Sequence, residues 1–164
     1  MFRRQALHSA LALAALLTLG ACATQPTAPA SLGDVVAGTP SLTTFHKLAI
    51  EAGLDGLLRG KEPHTVFAPS DAAFAAVPAK TLQALQADKV QLKQVLSYHI
   101  VAGSLASADV KPGNAKTLQG GSVALARAGG FVTVEDALVE QADLRAPNGV
   151  VHVIDRVLMP PRAK

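Results

Sequence analysis

Five residues have the types that a hydrolase uses: Ser70 beside Asp71, His99, and His152 followed three positions later by Asp155. A serine hydroxyl, a histidine base and an orienting carboxylate make a nucleophile when they hydrogen-bond in series. The local sequence argues against that use. Ser70 lies in Ala68-Pro69-Ser70-Asp71-Ala72, without the glycines of a strained G-x-S-x-G elbow. Its place just before Ala72, Ala73 and Phe74 is that of a helix N-cap, whose side-chain oxygen accepts from a free first-turn N–H. His152 stands in an apolar run, where a neutral imidazole needs a hydrogen-bond partner, either Asp71 or a backbone carbonyl. No catalytic residue is assigned, and the chain is not expected to be an enzyme. The remaining histidines of the body of the chain, His46, His64 and His99, share no H-x-x-x-H or H-E-x-x-H spacing with it or each other. No metal site and no cofactor are expected, and His46 reads as a half-exposed helix residue.

Cys22 is the only cysteine, which rules out an internal disulfide and a Cys-rich zinc site. Its setting supplies a different chemistry. Arg3 and Arg4 precede the apolar run Ala10 to Leu19, and the small residues Gly20 and Ala21 follow, the pattern of a secretory signal peptide. The run is too short to span a bilayer comfortably. Leu19-Gly20-Ala21-Cys22 resembles the bacterial lipobox, which implies cleavage before Cys22 and lipidation of its thiol. Residues 1–21 are then a leader, and residues 22–31 a lipidated cysteine with an Ala/Pro/Thr-rich tether. Nine such residues reach roughly 30 Å when extended. Ala23 in place of Asp, by resemblance to enterobacterial lipoproteins, favours the outer membrane. Arg3 and Arg4 also account for part of the formal charge of +3, and the other lysines and arginines are scattered along the chain. No basic stripe for nucleic acid is visible. Aromatic residues are 4 % with no tryptophan, so stacking platforms for single strands are disfavoured and the core must be aliphatic.

Helices are expected first and strands later. The 164 residues amount to one domain with a short appendage. After Pro40 and a capping Ser41, apolar residues at Leu42, Phe45, Leu48, Ala49 and Ala52 repeat every three or four positions, and Gly53 suits the C′ position. A short turn, Leu54 to Gly60, follows. Thr65, Val66 and Phe67 suit a half-buried strand that Pro69 ends, with Ser70 and Asp71 capping the next helix. Phe67 and Phe74 are then anchors on the two arms of a tight corner. Two further helices are separated by Asp88, and Tyr98-His99 falls at a helix-to-strand junction. Lys111-Pro112-Gly113-Asn114 reads as a turn. Beyond it Gly120-Gly121, Gly129-Gly130 and Asp136 punctuate short apolar runs, as in an antiparallel meander. The last run, Val150 to Pro161, is apolar on both alternating faces and reads as a central, doubly covered strand. The whole is an α+β arrangement.

Three separated stretches resemble the fasciclin-like domain: TVFAPSDAAF at 65–74, LSYHIVAG at 96–103 and NGVVHVIDRVLMP at 148–160. They match, in order and approximate spacing, its two conserved blocks and the Tyr-His box between them. The resemblance implies a β-sheet wedge or sandwich with several short helices packed on it, over residues 32–160, followed by a tail at 161–164. Its motif positions fall on Thr65, Phe67, Pro69, Ser70, Asp71, Phe74, Asn148, Gly149, His152 and Asp155, all expected to serve the fold.

For function, the resemblance implies an extracellular or envelope adhesion module. Its partner would be a protein or polysaccharide, with homophilic contact as one form and no role for nucleic acid. Tyr98 and His99 are the candidate partner-binding residues, weighed against a structural role at the junction. The alternative is a periplasmic carrier of a hydrophobic small molecule, held in an apolar groove between helices and sheet. A hydrolase is the least favoured reading.

Overall fold

A computed structural model of the chain describes residues 31–161. The leader, Cys22, the tether and residues 162–164 lie outside the described residues. The described residues begin with α1 (Leu32–Gly38), capped by Ser31, whose Oγ accepts from the Asp34 N–H. The sequence pattern predicts no helix here. Gly33, Gly38 and the β-branched pair Val35-Val36 all lower helix propensity, and burial of Leu32, Val35 and Val36 outweighs them.

A single 3-10 turn, Pro40–Leu42, leads into α2 (Thr43–Glu51). Ser41 is therefore not the cap that was expected. The free Thr44 N–H is met instead by the Asp71 carboxylate, 27 positions away, at 2.7 Å. Gly53 does take the left-handed conformation after this helix, at φ 72°. Next come α3 (Asp55–Leu58), β1 (His64–Pro69), α4 (Asp71–Ala75), α5 (Ala79–Ala87) and α6 (Lys89–Tyr98). Asp88 caps α6 by accepting from the Val90 and Gln91 N–H groups, as its position between two helical patterns implies.

The strands that follow are β2 (Ile100–Ala102), β3 (Gly113–Lys116), β4 (Ser122–Ala128), β5 (Phe131–Val134), β6 (Ala137–Ala146) and β7 (Gly149–Ile154). Gly113 and Asn114 thus open a strand rather than close a turn. The sheet order is β2-β1-β7-β6-β5-β4-β3. From β3 to β7 it is the expected antiparallel meander, whereas β1 and β7 run parallel, with Phe67 beside His152. The final strand stops at Ile154, earlier than its apolar pattern suggests. Register shifts within β6, between Val139 and Gln141 and again before Leu144, bend the sheet into a wedge. Its far edge returns to the start, where Val101 bridges Thr117 and the Leu118 N–H donates to the Ile100 carbonyl.

Alternation along β1 and β7 divides the interior in two. Val66, Ala68, Val151 and Val153 face the helices with Leu42, Phe45, Leu48 and Phe74. Phe67 and Ile154 face the other way, into the folded-over half of the sheet with Val123, Leu125, Val132 and Val134. Every residue of both strands is buried, which explains why both faces of the last run are apolar. Phe67 and Phe74 are indeed anchors, one in each core.

Candidate functional site

The corner after β1 is built from backbone needs. The Ser70 Oγ accepts from the Ala73 N–H at 3.2 Å, and the Ser70 N–H donates to the Ile154 carbonyl at 2.9 Å, tying the corner to the end of β7. The Asp71 carboxylate caps α2. Burial pushes its pKa up, but the bonds from Thr44 and Thr43 outweigh burial and the net shift is downward. Neither residue meets a histidine.

His152 is fully buried, stacked on Phe67 with ring centroids 5.4 Å apart. Its Nδ1 accepts from the Asp143 N–H at 3.2 Å, which leaves Nε2 to carry the proton and donate to the Leu105 carbonyl at 2.8 Å. A backbone carbonyl is therefore its partner, and Asp71 is not. Burial lowers its pKa, against smaller raising effects of the Leu105 bond and the Asp143 charge. Asp143 sits at φ 60°, within the irregular part of β6, and its carboxylate receives the Ser107 N–H and hydroxyl. Burial raises the Asp143 pKa, and these two Ser107 bonds turn the net shift downward.

Ser107, Asp143 and His152 thus gather without forming a relay. The ring holds two backbone groups, and the serine hydroxyl is bonded directly to the carboxylate. The cluster fastens the loop before β3 to β6. Sequence reasoning missed Ser107 and Asp143. The available signal was an aspartate inside a strand-length run, a residue type poor in strands and tolerant of positive φ.

Tyr98 and His99 divide at the junction. His99 has no exposed surface, and Tyr98 is 3 % exposed. The His99 Nδ1–H donates to the Val95 carbonyl at 2.8 Å, and its Nε2 accepts from the Leu158 N–H at 2.9 Å. Burial lowers its pKa to about 4. The Tyr98 hydroxyl donates to the Ser122 carbonyl at 3.0 Å and reaches the floor of a surface cleft of about 340 Å³ beside Glu135. Burial, then the Glu135 charge, raises its pKa. Of the two candidate contact residues, only Tyr98 borders a space open to solvent. His99 lies inside the core, with both ring nitrogens bonded to backbone groups.

Asn148 joins the two ends of the domain. Its Oδ1 accepts from the Leu32 N–H at 2.7 Å, and its Nδ2 donates to the Leu58 and Gly60 carbonyls at 2.9 and 2.7 Å. Its own carbonyl accepts from the His64 N–H, which starts β1. Gly149, at φ 143°, passes so close to the His64 carbonyl that a Cβ would collide with it. The Thr65 hydroxyl donates to the Gly103 carbonyl and accepts from the Leu105 N–H. The Asp155 carboxylate accepts from the Leu138 N–H at 2.7 Å. His46 is half-buried, and its Nε2 has no hydrogen-bond partner among the described residues. No cluster of three metal-ligating residues occurs among the described residues, and no described helix is long and apolar enough to cross a membrane.

A wedge-shaped sheet carrying short helices, with a capped corner and a parallel β1–β7 pair at its centre, defines a fasciclin-type module. The family model of the Fasciclin domain matches residues 40–160, and the chain belongs to that family. Protein sll1483 of Synechocystis sp. is 39 % identical over 130 residues, which cover 78 % of this chain and 72 % of that protein. Immunogenic protein MPB70 of Mycobacterium bovis is 37 % identical, covering 85 % of this chain and 78 % of that protein. Cell surface glycolipoprotein MPB83 of the same species is 34 % identical, with 85 % of this chain and 62 % of that protein covered. Among solved structures, the FAS1 domain pair of the insect cell adhesion molecule Fasciclin I shares the fold at a TM-score of 0.64 and 16 % identity. That match covers 79 % of this chain and 51 % of the insect chain, so this chain spans about half of it.

Proposed function

We propose that the chain is a lipid-anchored binding module of the cell envelope, holding a protein or polysaccharide partner on its folded surface and performing no chemistry of its own. One observation carries this reading. The reactive side chains of the motif, Ser70, Asp71, His99, His152 and Asp155, each hold backbone groups of the same chain. Their chemistry is consumed by the fold, and recognition falls to the outer surface. One relative points the same way by name, a cell surface glycolipoprotein. The leader and the Leu19-Gly20-Ala21-Cys22 tetrad supply the route to the envelope. Two acyl signals on Cys22 would give stable anchoring. The surface grooves are open, a shape suited to a macromolecule rather than to an enclosed apolar ligand.

The anchoring half is tested by Cys22→Ser followed by fractionation. The wild-type chain is expected with the membranes and the variant in the soluble fraction. Equal membrane retention of both would contradict the anchor. Protease added to intact cells then assigns the face of the outer membrane: cleavage indicates contact with neighbouring cells or matrix, and protection indicates a periplasmic partner.

A further inference from the structure

Two open grooves flank the exposed side of α6. One, about 510 Å³, lies between α6 and the end of α2, and the other, about 840 Å³, lies between α6, α5 and residues 159–161. Gln94 and Gln119 line both, so the grooves meet along the helix. This is the face of α6 left over after Leu92 and Leu96 enter the core, with the buried Val95 at the edge of the second groove.

The charge here is one-sided. Lys89 and Lys93 line the first groove and Lys80 the second, against a single carboxylate, Glu51. None of the three ammonium groups forms an ion pair among the described residues, whose salt bridges involve Arg59 and Arg156. The lysines are separated in sequence by up to 13 positions, and the packing of α5 beside α6 sets the two grooves they line next to each other. Between them stand amides. The side chains of Gln91 and Gln94 make no hydrogen bond among the described residues, and Gln119 uses only its Oε1, accepting from the Gly121 N–H.

We infer that the grooves along α6 bind an acidic polysaccharide, with the lysines facing its carboxylates and the glutamines its hydroxyls. This rests on the binding-module reading and names the site and ligand class for it. A primary amide offers a donor and an acceptor on one rigid plane, a match for adjacent hydroxyls of a sugar ring. Unpaired lysines supply attraction and steering for a polyanion. A single-stranded nucleic acid would seek aromatic rings to stack on, and neither groove contains one. An extended peptide adding to a sheet needs an open strand edge, and these walls are helices, a terminal segment and the β3–β4 turn at Gln119, with no strand residue among them.

The test uses the exported chain with polygalacturonate as probe, neutral dextran as control, and about 20 mM against about 300 mM salt. Polygalacturonate is expected to bind, dextran not, and the affinity to fall at the higher salt. The triple variant Lys80→Gln, Lys89→Gln, Lys93→Gln is expected to lose about tenfold or more in affinity, the scale of three partly exposed charge pairs. Its melting temperature should hold, because glutamine keeps the helix propensity of lysine. The variant Lys61→Gln, Lys111→Gln, Lys116→Gln changes net charge equally outside both grooves and should retain wild-type affinity.

Equal losses in the two triple variants would overturn the assignment of the site, and no binding of polygalacturonate at low salt would overturn the ligand class. Polyglutamate binding as tightly as polygalacturonate would likewise overturn the ligand class, since the glutamines would then add nothing for sugar hydroxyls. Retention of native envelope material by the immobilised chain is scored in parallel. If retention persists in the groove triple variant, this inference fails while the binding-module reading stands.

Discussion

His99 sits where a change of one proton should be felt by the whole domain. Its neutral ring donates to Val95 and accepts from Leu158, so protonation would turn an acceptor into a second donor facing the Leu158 N–H. The ring is fully buried beside Phe45, and its pKa falls from the ordinary 6.5 to about 4. The folded-state value is below the unfolded one, so between these limits the unfolded chain binds more protons. The contribution is fully present above about pH 6.5 and is lost as pH falls through the window to about 4. Each pH unit removes about 1.4 kcal/mol, so the full window amounts to about 3 kcal/mol. His99→Gln should cost about 1–3 kcal/mol at neutral pH, because the buried Leu158 N–H loses a well-placed acceptor. Its stability should then decline less steeply with acid than that of the wild type, by about one proton's worth of slope. Urea unfolding at several pH values measures this directly. Tyr98, the only tyrosine in a chain without tryptophan, provides an intrinsic fluorescence signal next to the switch. Parallel stability-versus-pH curves for the two proteins would refute the assignment of this proton to His99.

Other substitutions probe the frame. Asn148→Ala should lower stability by about 2–4 kcal/mol in chemical denaturation, since it strips partners from the Leu32 N–H and from two carbonyls. Gly149→Ala places a Cβ against the His64 carbonyl at positive φ and should cost more than about 4 kcal/mol, visible as loss of soluble folded protein. Ser70→Ala should cost about 1 kcal/mol through the lost cap, with binding to any partner unchanged; a larger effect on binding than on melting would show that the hydroxyl does more.

The corner and the last strand were readable because their determinants are local. Pro69, the capping Ser70 and the two-faced apolar run around His152 each act within a few residues. Asp88 announced its cap for the same reason. Other determinants act across the chain. Asp71 reads as a cap for its own helix, yet its carboxylate closes α2, where Ser41 was the nearer choice. α1 forms against its own propensities because the sheet and α2 cover its apolar side. The task of Asn148 is written in partners 88 to 116 positions away, which no local pattern reveals. Lys80, Lys89 and Lys93 look scattered in the sequence and come to line two adjoining grooves when α5 packs beside α6. Tyr98 and His99 share a motif and are both buried, yet the Tyr98 hydroxyl reaches a surface cleft while both His99 ring nitrogens are taken by backbone groups, a distinction no local pattern draws.

The central claim is that the folded surface of this chain binds envelope or extracellular material. The most direct measurement immobilises the exported chain on beads, native or heat-unfolded, and compares the isolated envelope polysaccharide and protein that each retains. The account predicts saturable retention by the native chain only, unchanged by Ser70→Ala. Equal retention by native and unfolded beads, or none by either, would contradict it.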